Sequence, residues 1–494
     1  MPLFKVGSVI KKTMSKLYLF GIGGTGSRVI RSLTMLLASG VDAGVDTIVP
    51  VLIDPDLSNG DLTRTVNLLK KYKEIHSELS FGSEVQSCFF KTDIDDQGTD
   101  FRLSIANVGN KTFGQYIEYD NLKREDKAMM SLLFSDRNLN AQMQEGFKGN
   151  PNMGSIVLND FCDPNNNVLA NLLSGFSDGD KIFIISSIFG GTGAAGFPLL
   201  LKTFRQAQQF NTFANPAIIA DAPIGALSAL PYFGLQTNGN SEINMATFIT
   251  KAKSALTYYQ NNLDTDALYY IADSMTSSYD NVEGSDGQKN DAHLIEMASA
   301  LAIIDFAKDP QIMRGAKIYK EFATEQQNGT MDLSLLSPST RKMLAPSLIS
   351  FYIFSQFYQH HLKDTFDAAW AKARSFKPDM LSEGFYRNLN TFINWFKDDG
   401  KDGWLVEMAR NSRSFQPFNL EGYNNIFHSI MGYEPKQVGF FGKLFANKDG
   451  FVLIDDEIAK SSNGVDKRLS DKDYFMNVHW IAIRNAIAKR LNLV

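Results

Sequence analysis

Residues 16–40 read KLYLFGIGGTGSRVIRSLTMLLASG, and the fold is decided by the order of three features within them. KLYLF is a short apolar run suited to a buried strand. GIGGTG then supplies Gly21, Gly23, Gly24 and Gly26, where missing side chains let backbone N–H groups approach an anion. Val29, Ile30, Leu33, Leu36 and Leu37 follow at helical spacing as far as Gly40, so one face of that helix packs on a sheet. The unit is strand, glycine turn, helix. By itself it is not diagnostic, because such a turn serves NAD, FAD and adenylating enzymes alike and also allows simple close packing of a helix on a strand.

Working outward, TIVPVLID at 47–54 reads as a second strand that ends in the acidic turn DPDLSNGD at 54–61. From about 65 to 146 the text is charged and irregular, and it reads as an insertion with mostly helical segments. The α/β pattern resumes with GFKGNPNMGS at 146–155, the strand KIFIISSI at 181–188, and the helix LLLKTFRQAQQF at 199–210. PAIIADAP at 216–223 and ALYYIAD at 267–273 read as further strands, with helices over 243–260 and 291–308. This alternation predicts an α/β fold with a mostly parallel, doubly wound sheet. From about Lys317 to Tyr433 the segments read as aromatic-rich helices whose Phe, Tyr and Trp stripe is core. The expected organisation is a nucleotide-binding domain over 1–310, interrupted at 65–146, and a mainly helical region over 311–494.

A second glycine turn gives the first its meaning. Gly190, Gly191, Thr192 and Gly193 open the run GGTGAAGFP directly after an apolar strand. Thr192 adds a hydroxyl donor to the backbone amides. Two such turns on parallel strands of one sheet can converge on one polyphosphate, whereas a simple dinucleotide fold needs only one.

FGGTGAAGFP at 189–198 resembles the signature loop of the tubulin/FtsZ superfamily, and Asn150-Pro151-Asn152-Met153-Gly154 is similar to the NPxxG turn of FtsZ, 36 positions before Gly190. Asp54-Pro55-Asp56 stands where tubulins carry an acid-x-acid turn near magnesium. The chain thus looks like a divergent bacterial tubulin-like protein over residues 16 to 307. The resemblance implies GTP or GDP, with ATP as the alternative, held by Gly21, Gly23, Gly24, Thr25, Gly26, Asn150, Gly154, Gly190, Gly191, Thr192 and Gly193. It implies Mg²⁺ at Asp54 and Asp56, which otherwise read as turn formers. It also implies base contacts from Asn290 and Asp291, either of which reads equally as a helix N-cap. Arg28 occupies the place of an FtsZ asparagine, so its expected role shifts to phosphate or to solvent. No NxDxxD-like segment follows the helix at 291–308, so GTPase activity stays open and no catalytic residue is assigned. Self-association or a protein partner is the expected outlet of the nucleotide.

Composition excludes several other classes. A net charge of -5 gives no footprint for nucleic acid. Two cysteines, Cys88 and Cys162, form neither a disulfide framework nor a thiolate zinc site, and a reducing cytoplasm is expected. The N-terminal stretch does not read as a signal peptide, and no run of about 20 apolar residues reads as a membrane span. His360 and His361 are neighbours on a helix and point apart, which disfavours a metal site. Two rivals remain. One is a Rossmann or ubiquitin-activating-like enzyme, suggested by Asp54, Asp56, Asn59 and Arg64; the other is a scaffold that does not hydrolyse nucleotide.

Overall fold

A computed structural model describes residues 15–493 apart from 57–58, 106–107, 144–145, 148, 164–166, 233, 236–244, 274–277, 280–288, 324–329, 398–401, 411–414, 421–424 and 437–449. The amino-terminal stretch read for a signal peptide lies mostly outside the described residues.

KLYLF continues through the first glycine to form β1 (Lys16–Ile22), and the helix α1 (Gly23–Ala38) begins without an intervening loop. The other strands of the main sheet are β2 (Thr47–Ile53), β3 (Asp93–Ile94), β4 (Lys181–Ser187), β5 (Ile224–Ala229), β6 (Ala267–Ala272) and β7 (Ile318–Ala323). They form a seven-stranded sheet in the order β3-β2-β1-β4-β5-β6-β7, and every pairing is parallel. A separate two-stranded pairing joins Gly234–Leu235 to Ser278–Tyr279. The doubly wound α/β fold expected from the sequence is therefore present, with its topological switch point between β1 and β4. Strands buried on both faces account for the continuous apolar runs FIIS and TIVPVLI.

Three segments differ from the sequence reading. PAIIADAP is not a strand: Pro216–Asp221 is a short helix, and the strand is the next run, IGALSA. Proline in the first turn of a helix loses no hydrogen bond, so Pro216 starts a helix where apolar content alone suggested a strand. The stretch 65–146 contributes to the sheet, because helix α2 (Gly60–Ser77) delivers the chain to β3 inside it. Beyond β3 it is irregular with short helices, among them Arg124–Leu133. The sheet also runs past residue 310, since β7 pairs with β6 from Ile318 to Ala323.

Further long helices are α3 (Pro151–Phe161), α4 (Gly191–Arg205), α5 (Met245–Asn262) and α6 (Leu294–Lys308), followed by α7 (Pro338–His360), α8 (Gly384–Lys397), α9 (Trp404–Arg410), α10 (Phe451–Ser461) and α11 (Asp471–Arg490). The aromatic stripe is core, as expected. Phe351 of α7 lies edge-on to Phe90, Phe392 and Phe396, and Phe392 also meets Tyr72 of α2 at 6.4 Å. Through these rings the helical region packs directly on α2. Among the described residues, no helix is long and apolar enough to cross a membrane.

Candidate phosphate cradle at the switch point

β1 and β4 are hydrogen-bonded neighbours, so the turns that leave their carboxyl ends are brought side by side. A Cβ built on Gly23 would lie 3.7 Å from the Cβ of Thr192. Gly23 has φ +69°, a conformation that disfavours side chains. The two glycine turns thus face each other, as the sequence required.

Both turns end in a helix N-terminus that lacks a side-chain cap. The N-cap of α1 is Ile22 and that of α4 is Gly190, and neither supplies a capping hydrogen bond. Neighbouring helices are capped from within the chain: Asn59 accepts from Asp61 N and Leu62 N, Asn150 from Asn152 N and Met153 N, and His293 from Ile295 N. A helix start leaves four N–H groups without intrahelical partners and carries about half a positive charge. The starts at Gly23 and Gly191 thus lie near each other without side-chain caps, and paired helix N-termini of this kind can attract an anion.

The glycines divide by what surrounds them. A Cβ on Gly26 would stand 2.4 Å from the Gly21 carbonyl carbon, and one on Gly21 would stand 2.7 Å from Ile30 Cδ1, so this pair lets α1 pack tightly on β1. Gly190 and Gly193 lie against Ser187: a Cβ on the first would stand 2.9 Å from its Oγ, and one on the second 2.9 Å from its backbone N. Gly154 lies behind the second turn, where a Cβ would be 2.7 Å from the Gly191 carbonyl oxygen. A Cβ on Gly191 would in turn stand 3.0 Å from Asn150 N, so the Asn150 turn packs closely against the second glycine turn. Of the glycines in the first turn, Gly23 is the one whose Cβ would meet nothing closer than ordinary contact distance, with Thr192 opposite and Thr25 buried nearby.

No protein-family model matches this chain, and no curated protein does. Among solved structures, CetZ from Methanosaeta thermophila strain DSM 6194 aligns at 14% identity and a TM-score of 0.28, covering 60% of this chain and 52% of its own. CetZ2 from Haloferax volcanii, a GTPγS-bound protofilament, aligns at 15% identity and a TM-score of 0.30, covering 59% of each chain. This chain spans little more than half the length of either. The fold assignment rests on the strand order and register described above.

Asp54 and Asp56 follow directly on the end of β2, the strand paired with β1. Both are buried, and Asp54 Oδ1 accepts from Asp56 N at 3.1 Å. Burial pushes the Asp54 carboxyl up to about 7, and the nearby charges of Asp56 and Asp61 act in the same direction. Two adjacent carboxylates suit a hydrated Mg²⁺ that takes its remaining ligands from phosphate and water. Among the described residues, no cluster of three or more His, Cys, Asp or Glu could hold a metal without such help.

Arg28 does not point to solvent. It is 4% exposed, and its guanidinium donates to Glu296 Oε1 at 2.6 Å, Asp61 Oδ2 at 2.7 Å, Tyr232 OH at 2.9 Å and Thr25 Oγ1 at 3.4 Å. A Cβ on Gly24 would meet Arg28 Nη1 at 3.3 Å, so the guanidinium underlies the first turn. The network extends outward through Arg64, which pairs with Asp61 at 2.8 Å and Glu407 at 3.0 Å, and through Arg31, which pairs with Glu407. Charges on a helix as buried as α1 require such partners.

Asn290 and Asp291 are held within the same construction. Asn290 donates its backbone N–H to Asp61 Oδ1 at 3.2 Å, and its carbonyl accepts from Arg64. The Asp291 carboxylate accepts from Arg410 of α9 at 2.8 and 3.2 Å. Neither caps α6; that role falls to His293, which forms a reciprocal capping box with Glu296. The sequence reading missed Asp61, Tyr232, Glu296 and Glu407. Buried acids in otherwise apolar helical text, as at Glu296 in LIEMASALAIIDFAK, were the available signal.

Proposed function

We propose that this chain is a tubulin/FtsZ-like protein that binds the phosphates of a guanine nucleotide between the first turns of α1 and α4. Mg²⁺ would be held by Asp54 and Asp56. The bound nucleotide controls self-association or the binding of a protein partner, with hydrolysis that is slow or depends on that partner. The observation that carries this reading is the approach of Gly23 to Thr192 across the switch point, with two uncapped helix N-termini meeting there.

Backbone amides and helix ends bind polyphosphate by position and charge, while Mg²⁺ neutralises the remaining phosphate oxygens when bound. The buried carboxylates at Asp54 and Asp56 support the metal because they add negative charge beside an anion site. A dinucleotide-binding enzyme is disfavoured because the second glycine turn would then have no role.

The test is equilibrium binding of fluorescent GTP and ATP analogues to the purified chain, with and without Mg²⁺, combined with mass spectrometry of any nucleotide that co-purifies. Tighter binding of GTP than ATP, strengthened by Mg²⁺, is the expected result. An absence of binding of either nucleotide at millimolar concentration would overturn the proposal.

A further inference from the structure

β7 (Ile318–Ala323) ends one side of the main sheet, and among the described residues no strand pairs with its outer edge. The strand at the other side, β3, is only two residues long. A long open edge presents a row of N–H and C=O groups that templates a further strand, and proteins ordinarily shorten, cover or charge such edges. Ile318 donates its backbone N–H to Asp266 O at 2.8 Å, and β7 then runs in parallel register with β6. Alternation along a parallel ladder turns the backbone groups of Ile318 and Lys320 toward β6 and those of Tyr319 and Glu321 outward. Tyr319 is 60% exposed, and Glu321 is exposed beside it.

The charges of this edge are arranged about Tyr319. Lys320 is occupied within the chain, by Asp305 at 2.5 Å and Asp309 at 3.2 Å. Lys317, which turns the chain into the strand at φ +51°, and Glu321 stand two positions to either side of Tyr319. Both are exposed, and neither forms an ion pair among the described residues. Asp264, whose carboxyl feels the charge of Lys317, is held by Arg314 at 2.8 Å.

Two copies related by a twofold axis normal to the sheet would pair these edges antiparallel, and the residue on the axis sets what lies opposite what. With Tyr319 on the axis, Lys317 of each copy lies opposite Glu321 of the other, and the two Tyr319 residues form a hydrogen-bonded pair. With Glu321 on the axis two carboxylates meet, and with Lys320 there two ammonium groups meet. With Ile318 there, Glu321 falls opposite Gly315 and gains no counter-charge. Opposite charges across a strand pair stabilise it and like charges destabilise it. The charges that guard the edge against other strands therefore leave one register with itself open.

We propose that β7 is a homodimer interface, in which two copies join their sheets antiparallel about Tyr319 with Lys317 of each copy against Glu321 of the other. The interface lies away from the switch point and is independent of the nucleotide reading.

Sedimentation velocity of the full chain without nucleotide, from micromolar to near-millimolar concentration, should show a monomer–dimer equilibrium. Glu321→Lys and Lys317→Glu should each weaken dimerisation at least about tenfold, and the double exchange Lys317→Glu with Glu321→Lys should restore it, all at an unchanged melting temperature. Register is read separately by cross-linking. Residues in a hydrogen-bonded antiparallel pair have Cα atoms about 5.5 Å apart, within disulfide reach, so Tyr319→Cys should oxidise to a covalent dimer. Glu321→Cys, about 14 Å from its own copy along the strands, should not, and the parent with its native Cys88 and Cys162 is the control. The proposal is overturned if the parent stays monomeric over the whole range, if the double exchange fails to restore what the single changes remove, or if Tyr319→Cys cross-links no faster than Glu321→Cys or the parent. Association that grows past the dimer and ignores the charge variants would overturn it as well, by assigning contact between copies to another face.

Discussion

Arg28 Nε and Glu296 Oε1 are 2.6 Å apart, although 268 positions separate the two residues in sequence. Both side chains are at most 5% exposed. Removing one partner of a buried pair costs roughly 3–5 kcal/mol when the other charge is left unpaired, and less here because Arg28 keeps Asp61 at 2.7 Å, whereas an exposed pair contributes less than about 1 kcal/mol. Glu296→Ala should therefore lower the urea midpoint substantially. Lys289→Ala, which breaks the exposed pair with Asp402, should barely move it. Equal midpoints for the two variants would show that Arg28 reaches water in solution.

The glycines of the first turn separate into structural and ligand-facing positions, and substitution should reveal the division. Gly26→Ala puts a methyl group 2.4 Å from the backbone of Gly21, which cannot move without breaking β1 from α1, so that variant should fail to fold. Gly23→Ala meets Thr192 only at ordinary contact distance but at φ +69°, a strain of about 1–2 kcal/mol. It should fold, and GTP affinity measured by fluorescence titration should fall about tenfold as the close approach of the amides is lost. A folded Gly26→Ala, or a Gly23→Ala with parental affinity, would contradict this division.

The two glycine turns were legible in the sequence, for local reasons, but the division among their glycines was not, since Gly21, Gly23, Gly24 and Gly26 all read alike as ligand-holding. A glycine turn between an apolar strand and a helical pattern is written in contiguous residues, so the elements at Gly23 and Gly191 and the parallel sheet followed directly. What was missed depended on context. β7 reads IYKEFA, with Lys320, Glu321 and an exposed Tyr319, because an edge strand lacks the continuous apolar run of an interior one. β3 is only two residues long, Asp93–Ile94, and has no pattern to read. The partners of Arg28 could not be seen because a single sequence contains no sign of which distant acid faces a buried base.

Asp54 makes stability depend on pH. Its carboxyl is pushed to about 7 by burial, against an ordinary value of 3.8. The folded chain therefore holds a proton between these values that the unfolded chain releases. The neutral acid's contribution is complete below pH 3.8, declines as pH rises, and is gone above pH 7, at a slope of up to about 1.4 kcal/mol per unit. Asp54→Asn should differ little from the parent near pH 4 and exceed it in stability by a margin that grows up to pH 7 and is constant above it, by denaturant titration. A constant difference between the two proteins across that range would place the Asp54 carboxylate in solvent.

His479 imposes the opposite slope. It is fully enclosed by the rings of Phe475, Phe357 and Trp370, and its Nδ1–H donates to the Phe475 carbonyl oxygen at 2.7 Å. Burial lowers it to about 4 from 6.5. The unfolded chain takes up a proton first as pH falls, so this contribution is intact above pH 6.5 and is lost progressively down to pH 4. His479→Leu should flatten the acid limb of the stability profile between pH 6 and 4. A parental acid limb in that variant would assign the acid sensitivity to other groups.

Base selectivity provides the sharpest contrast between the sequence expectation and the geometry. The resemblance placed Asp291 at the nucleobase, yet its carboxylate is held by Arg410 at 2.8 Å and is two-thirds buried between α6 and α9. Contacting a base would require that pair to open. Asp291→Ala should therefore leave the ratio of GTP to ATP affinity within about twofold of the parent, a change below about 0.4 kcal/mol, in competition titrations. Its effect should appear instead in the anchoring of α9, as faster amide hydrogen exchange over Trp404–Arg410. A collapse of guanine preference with unaltered exchange in α9 would restore Asp291 to the nucleotide site.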